Sequence, residues 1–250
     1  MREITYRSLT GHGKERVLMR GVLSTIRPRD LLVRGLARAL SAGRRRERSL
    51  LLSAATTCAQ EWGWPVLPGA AAGWEGCACP RPDCPTPGAH PYDPPLLAAT
   101  TDIRMVRWWW QRHPDAPLVL ATGGPVSAVS LPASAGARVL EYFDALRIRT
   151  GPVIATPTRY VMLVAPYTMQ ELAELLIAQE WVPTSLRYHG SGGYVVLPPS
   201  RTGAGALRWA REPVPGPGVD GVPWLPSVSD LMGALVAASA AVPDGARLAY

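Results

Sequence analysis

Apolar residues recur along this chain at two spacings, and each spacing predicts an element. Leu32, Leu36 and Leu40 fall on one helical face while Arg34 and Arg38 fall on another. That pattern predicts a basic amphipathic helix over 29–42. Gly43 and the run Arg44-Arg45-Arg46 read as a break. Leu51, Ala55, Cys58 and Trp62 then repeat at intervals of three and four, predicting a second helix over 48–62 with Cys58 in its buried stripe. Residues 64–67 read as a short strand. From 68 to 99 no period holds, and so long a connection is expected to be functional or stapled by a metal. Thr100-Thr101-Asp102 supplies cap chemistry for a helix through about Gln111. Apolar runs of strand length follow at Leu118–Ala121, 127–131, Arg159–Val164 and 193–197, with a shorter one at Val153-Ile154. Helices over 134–146 and 168–179 lie between them.

This alternation predicts an α/β (α+β) domain over 50–212, a mixed sheet with flanking helices and a cysteine-rich loop. Residues 213–226 are dense in Pro and Gly and read as a linker. Segment 227–250 carries an Ala-rich helix, about 227–240, and a tail.

Charge changes this picture at one end only. Residues 1–50 hold 13 basic against 4 acidic side chains, a net +9, so the other 200 residues carry −2 of the chain's +7. Segment 1–49 is therefore a basic arm, and Arg44, Arg45 and Arg46 are its candidate contacts to nucleic-acid or nucleotide phosphates. A solubilising tail, or translation beginning at Met19, is the alternative. Lys14 is the only lysine, a bias that fits a GC-rich genome. No run of 18 apolar residues occurs, so no membrane span is expected. The apolar residues after Arg44-Arg45-Arg46 give way to Gln60-Glu61 and lie too deep for a signal sequence. A cytoplasmic protein follows.

In a reducing compartment clustered cysteines suggest metal before disulfides. Cys77, Cys79, Cys84 and His90 offer three thiolates and an imidazole within fourteen residues. That is the ligand set of a structural zinc site, and Pro80, Pro82, Pro85 and Pro87 stiffen the loop between them. Reduced, unliganded cysteines are the alternative. In Trp108-Trp109-Trp110, core packing is expected of Trp108 or Trp109, leaving Trp110 at the surface. His189 is assigned no catalytic role.

Four segments in order resemble the bifunctional DNA primase/polymerase family of bacterial mobile elements and actinobacterial genomes. They are Trp62-Gly63-Trp64-Pro65-Val66-Leu67-Pro68; the cysteine cluster ending in Pro87-Gly88-Ala89-His90-Pro91; Ala99-Thr100-Thr101-Asp102 with Trp108-Trp109, His113-Pro114-Asp115-Ala116 and Ala121-Thr122-Gly123; and Gly192-Gly193-Tyr194-Val195-Val196-Leu197-Pro198-Pro199-Ser200, with Trp209 beyond. The resemblance implies nucleotidyl transfer with two metal ions, held by paired acids on the strand after the Thr-Gly turn and by a later third carboxylate. It also implies a histidine, in a Ser-Gly-Gly-x-His turn, that contacts the triphosphate. It leaves His90 a second reading, a contact to DNA or nucleotide.

The chain departs from that pattern. Ser130 and Pro132 stand where the paired acids belong, and Thr156-Pro157-Thr158-Arg159-Tyr160 replaces the histidine turn. Between Glu180 and Asp220 the only acid is Glu212. Magnesium is therefore not expected, because a divalent pair needs several anionic oxygens. Arg159 and Arg187, near the altered strands, become candidate phosphate contacts. The expected function is a non-catalytic primase/polymerase-like domain that binds nucleic acid, nucleotide or a protein partner, in replication or regulation. The rivals are an active enzyme using Asp93, Asp102 or Asp115, and an interaction module without nucleic acid.

Overall fold

The computed structural model describes residues 28–73, 76–179, 182–216 and 221–240, with the side chains of 28–38 and 238–240 outside that description. Of the amphipathic face expected over 29–42, only residues 39–42 have described side chains, and Leu40 is exposed there; the tail after 240 falls outside the description. In chain order the elements are α1 (Pro28–Thr56), a π turn (Thr57–Glu61), β1 (Val66–Pro68), β2 (Ala72–Gly73), β3 (Gly76–Cys77) and a 3-10 turn (Leu96–Ala98). They continue with α2 (Ile103–Arg112), β4 (Leu118–Ala121), β5 (Ser127–Pro132), α3 (Ala133–Ala145), β6 (Val153–Ala155), β7 (Arg159–Val164) and α4 (Met169–Ile177). The last are β8 (Arg187–His189), β9 (Tyr194–Leu197), β10 (Arg201–Thr202), β11 (Gly205–Ala206), β12 (Arg208–Arg211) and α5 (Val228–Ala240).

The fold is α+β. Its strands form a three-stranded sheet, β1-β4-β9, a five-stranded sheet, β12-β6-β7-β5-β8, and the small ladders β2-β3 and β10-β11. The expectation of one mixed sheet is thus corrected: every pairing among the described residues is antiparallel. The five-stranded sheet is buried on both faces. Ala128, Ile154, Val161 and Leu163 join the core under the three-stranded sheet. Val129, Val153, Met162 and Val164 join a second core with α3 and α5. Burial on both faces is why these strands read as unbroken apolar runs.

One expectation about the elements changes. The break at Gly43 is absent, and α1 runs through it and through Arg44-Arg45-Arg46. One glycine costs a helix only about 1 kcal/mol, and nothing crowds this one. The chain forms two compact units, Met1–Ala42 and Gly43–Tyr250. On either side of residues 217–220, Gly216 N–H donates to Val222 O and Trp224 N–H to Val214 O. α5 then buries Val228, Leu231, Met232 and Leu235 beside α3. Its apolar face needed a partner, and the domain supplies one.

Local chemistry accounts for the helix starts. Asp102 caps α2 by accepting from Arg104 N–H at 2.8 Å, and Thr168 with Glu171 closes a capping box on α4. On α2 the buried stripe is Val106, Trp109 and Trp110, at spacings of three and four. Trp110 is 2% exposed and donates its Nε1–H to Ala116 O, whereas Trp108 is 46% exposed. The surface tryptophan is therefore Trp108, not Trp110. Cys58 lies in the core as expected. No described helix is long and apolar enough to cross a membrane.

Candidate functional site

The cysteine loop brings its four donors together. Cys77 ends β3, which pairs with β2, and the backbone N–H of Ala70 donates to His90 O, closing the loop at its base. The ligand atoms of Cys77, Cys79, Cys84 and His90 all lie within 4.8 Å of one another. Cys77 Sγ and Cys84 Sγ stand 3.4 and 3.3 Å from His90 Nε2. A tetrahedral ion with thiolate and imidazole ligands sets sulfur and nitrogen about 3.6 Å apart, from bond lengths near 2.3 and 2.05 Å. His90 Nδ1 donates to Pro91 O at 2.8 Å, which leaves the Nε2 lone pair free to ligate. Burial opposes ionisation of Cys77, but the backbone at Cys79 and Gly88, then the His90 and Cys79 side chains, outweigh it and bring the thiol to about 6. These residues can hold a metal ion.

The same loop forms a wall of a second site. Pro85, Thr86, Pro87 and Ala89 face a cleft of about 510 Å³ that also touches Ser130, Arg159, Arg187 and His189. Gly88 (φ +76°) lets the loop pass close to the β10-β11 ladder: a Cβ there would meet Thr202 Cα at 2.9 Å. Pro87 O accepts from Gly203 N–H at 2.7 Å.

The floor of this cleft is a polar network across three strands. Ser130 of β5 is in register with Val161 of β7 and Arg187 of β8. Arg159 Nε donates to Ser130 Oγ at 3.0 Å, and its Nη2 donates to Ser130 O and Ser185 O at 2.7 and 2.8 Å. Ser130 Oγ stands 2.9 Å from His189 Nε2. With the proton of a neutral His189 on Nδ1, Nε2 accepts the Ser130 hydroxyl proton while Oγ accepts from Arg159. Burial, then the charges of Arg159 and Arg187, hold this imidazole down at about 4, against a backbone hydrogen bond at Tyr194. Burial, then Arg187, lowers Arg159 to about 10. Among the described residues no Asp or Glu lines the cleft.

His189 is thus a cleft residue at the end of β8. The one sequence signal was its place just before Gly190-Ser191-Gly192-Gly193, the turn that Thr122 holds from across the domain (Oγ1 to Gly190 O, 2.8 Å). Arg159 and Arg187 reach the site, while Arg44, Arg45 and Arg46 are exposed on α1 and do not line the cleft. The three acids named as rival ligands do not line it either. Asp102 caps α2, and Asp115 takes both Nε and Nη2 of Arg48, at 2.8 and 2.6 Å.

A neutral His189 has a consequence for stability. The unfolded imidazole titrates near 6.5, so between that value and about 4 the native state binds fewer protons than the unfolded chain. The stability from this site is whole above pH 6.5 and drains as pH falls toward 4. A shift of that size is worth up to about 3 kcal/mol. His189→Gln keeps an acceptor for Ser130 and cannot titrate. The stability advantage of wild type over this variant should shrink between pH 7 and 4.5 in denaturant melts. An advantage that stays constant over that range contradicts a neutral histidine.

No curated protein and no solved structure matches the chain. A comparison with known families does match it, over residues 55–225, to bifunctional DNA primase/polymerase, N-terminal. That span takes in both sheets, the cysteine loop and every residue of the cleft. It covers well over half the sequence, and the chain belongs to the bifunctional DNA primase/polymerase N-terminal family.

Proposed function

We propose that this chain is a non-catalytic member of its family that binds a nucleotide or nucleic acid in the Arg159/Arg187 cleft, in a replication-related or regulatory role in the cytoplasm. One observation carries the reading. Ser130, where the resemblance calls for the first of the paired acids, is tied to Arg159 and His189, and the lining of the cleft contains cations and no carboxylate. Nucleotidyl transfer needs metal ions to offset charge on the triphosphate and on the attacking oxygen. Two guanidiniums can hold phosphate, but they cannot ligate a metal. Zinc fills the Cys77, Cys79, Cys84 and His90 site in this reading, as a structural ion closed by protein ligands. The basic stretch Arg44-Arg45-Arg46 adds a salt-sensitive attraction for a strand.

The test is primer synthesis and extension on DNA and RNA templates with magnesium or manganese. No incorporation is expected from wild type. None is expected from the double variant Ser130→Asp and Pro132→Asp, since its third acid and histidine turn are still missing. Fluorescent single-stranded DNA or nucleotide should nonetheless bind, and Arg187→Glu should weaken that binding at least tenfold. Template-directed incorporation by wild type refutes the proposal.

A further inference from the structure

We infer that the cleft takes a phosphate monoester of the nucleoside-monophosphate class directly on guanidinium groups, without a divalent cation. The inference rests on the reading above that a nucleotide occupies this cleft, and it specifies which form. Its first support is the charge left over in the floor. Arg187 is exposed, and its side chain makes no hydrogen bond or ion pair among the described residues. Arg159 is half-buried, and all three hydrogen bonds of its guanidinium go to a neutral hydroxyl or to carbonyls. It has no carboxylate partner among the described residues. Two cations therefore face one cavity unneutralised, and His189, being neutral, adds nothing to them.

A phosphate monoester carries about −1.5 to −2 at neutral pH, which matches two guanidiniums. A triphosphate exceeds that charge and would need a metal to make up the difference. The cleft cannot supply a seat for one. A divalent ion with hard oxygen ligands needs carboxylates, none lines this cavity, and two cations already repel a third. Magnesium in solution would compete for the phosphate instead of bridging it to the protein.

The second support is shape. The cavity, about 510 Å³, lies within the roughly 300–1,000 Å³ range of small-molecule pockets. Its polar floor meets an apolar side formed by Pro87, Tyr194, Val196 and Leu207. A charged end and an apolar side in one cavity suit a phosphate joined to a ring system better than inorganic phosphate.

The experiment is calorimetric titration of the full chain with AMP, CMP, GMP and UMP in buffer cleared of divalent ions by resin. A strong chelator is avoided because it would also strip the cysteine site. At least one monophosphate should bind, at least tenfold more tightly than its nucleoside and than inorganic phosphate. Adding magnesium in excess over the nucleotide should leave that affinity unchanged or lower it. Arg187→Glu should abolish the binding, with an unchanged melting temperature to show the fold intact. An affinity that appears only with magnesium, or equal binding of nucleoside and nucleotide, overturns this inference while the nucleotide reading stands. Binding of single-stranded DNA without any monophosphate also overturns it and leaves the wider reading intact. If neither mononucleotides nor DNA bind, with or without magnesium, both fall.

Discussion

Chelating the zinc proposed for the cysteine loop should lower the melting temperature by roughly 8–16 °C. Purified protein is expected to carry about one zinc per chain, measured by elemental analysis. A ligand held a thousandfold above its dissociation constant contributes about 4 kcal/mol to folding, and in a domain of this size 1 kcal/mol moves the midpoint by roughly 2–4 °C. The contribution is large here because little else holds the loop. Among the described residues no disulfide closes it, and Pro87 O to Gly203 N–H and Ala70 N–H to His90 O are among its few ties to the rest of the domain. Cys79→Ser and Cys84→Ser should reproduce most of the loss, since a hydroxyl is a poor zinc ligand. The loop is also a wall of the cleft, so the same treatments should weaken ligand binding. Protein that contains no metal, or whose melting is indifferent to chelation, contradicts the assignment.

The second large effect is expected at Gly123. Its φ is +93°, and a Cβ there would lie 2.1 Å from Ser191 Cα and 2.3 Å from Ser191 N. The obstacle is backbone, which no rotamer change can move. Gly123 also sits where two turns are locked together, because Thr122 N–H donates to Gly193 O at 2.9 Å and Thr122 Oγ1 to Gly190 O. Gly123→Ala combines left-handed strain with overpacking, about 3 kcal/mol together, or a fall of roughly 6–12 °C. Relieving the clash displaces the turn between β8 and β9, and with it His189, so binding in the cleft should fall as well. Gly124→Ala is the control. Nothing lies within 4 Å of a Cβ there, and the change expected is within about 0.5 kcal/mol. Equal effects at the two glycines would contradict the packing account.

Much of this architecture could be read without coordinates, and the residues show why. β4 at Leu118–Ala121 and β7 at Arg159–Val164 are apolar runs with the bounds expected of them. Thr168 and Glu171 carry their own capping chemistry, three residues apart, so the start of α4 was legible from a handful of side chains. Cys77, Cys79, Cys84 and His90 are close in sequence, and a short stiff loop left them little choice but to meet. The sequence alone also determined which carboxylates are absent, since no folding can supply a side chain the chain does not have.

What only the tertiary structure decided concerns partners distant in sequence. Trp108 and Trp110 are equally apolar; which one is buried depends on the stripe that α2 turns toward β1 and the π turn. Arg187-Tyr188-His189 has no telling pattern by itself. It is a strand because β5 offers an edge to pair with. Segment 213–226 has a linker's composition, yet Arg149 lies over the Trp224 ring and Ala165 N–H donates to Pro226 O. The network of Ser130, Arg159 and His189 joins residues 29 and 59 positions apart. Local propensity specifies an element from a few neighbouring residues. A site made of side chains from three strands exists only once register and strand order have brought them to the same face.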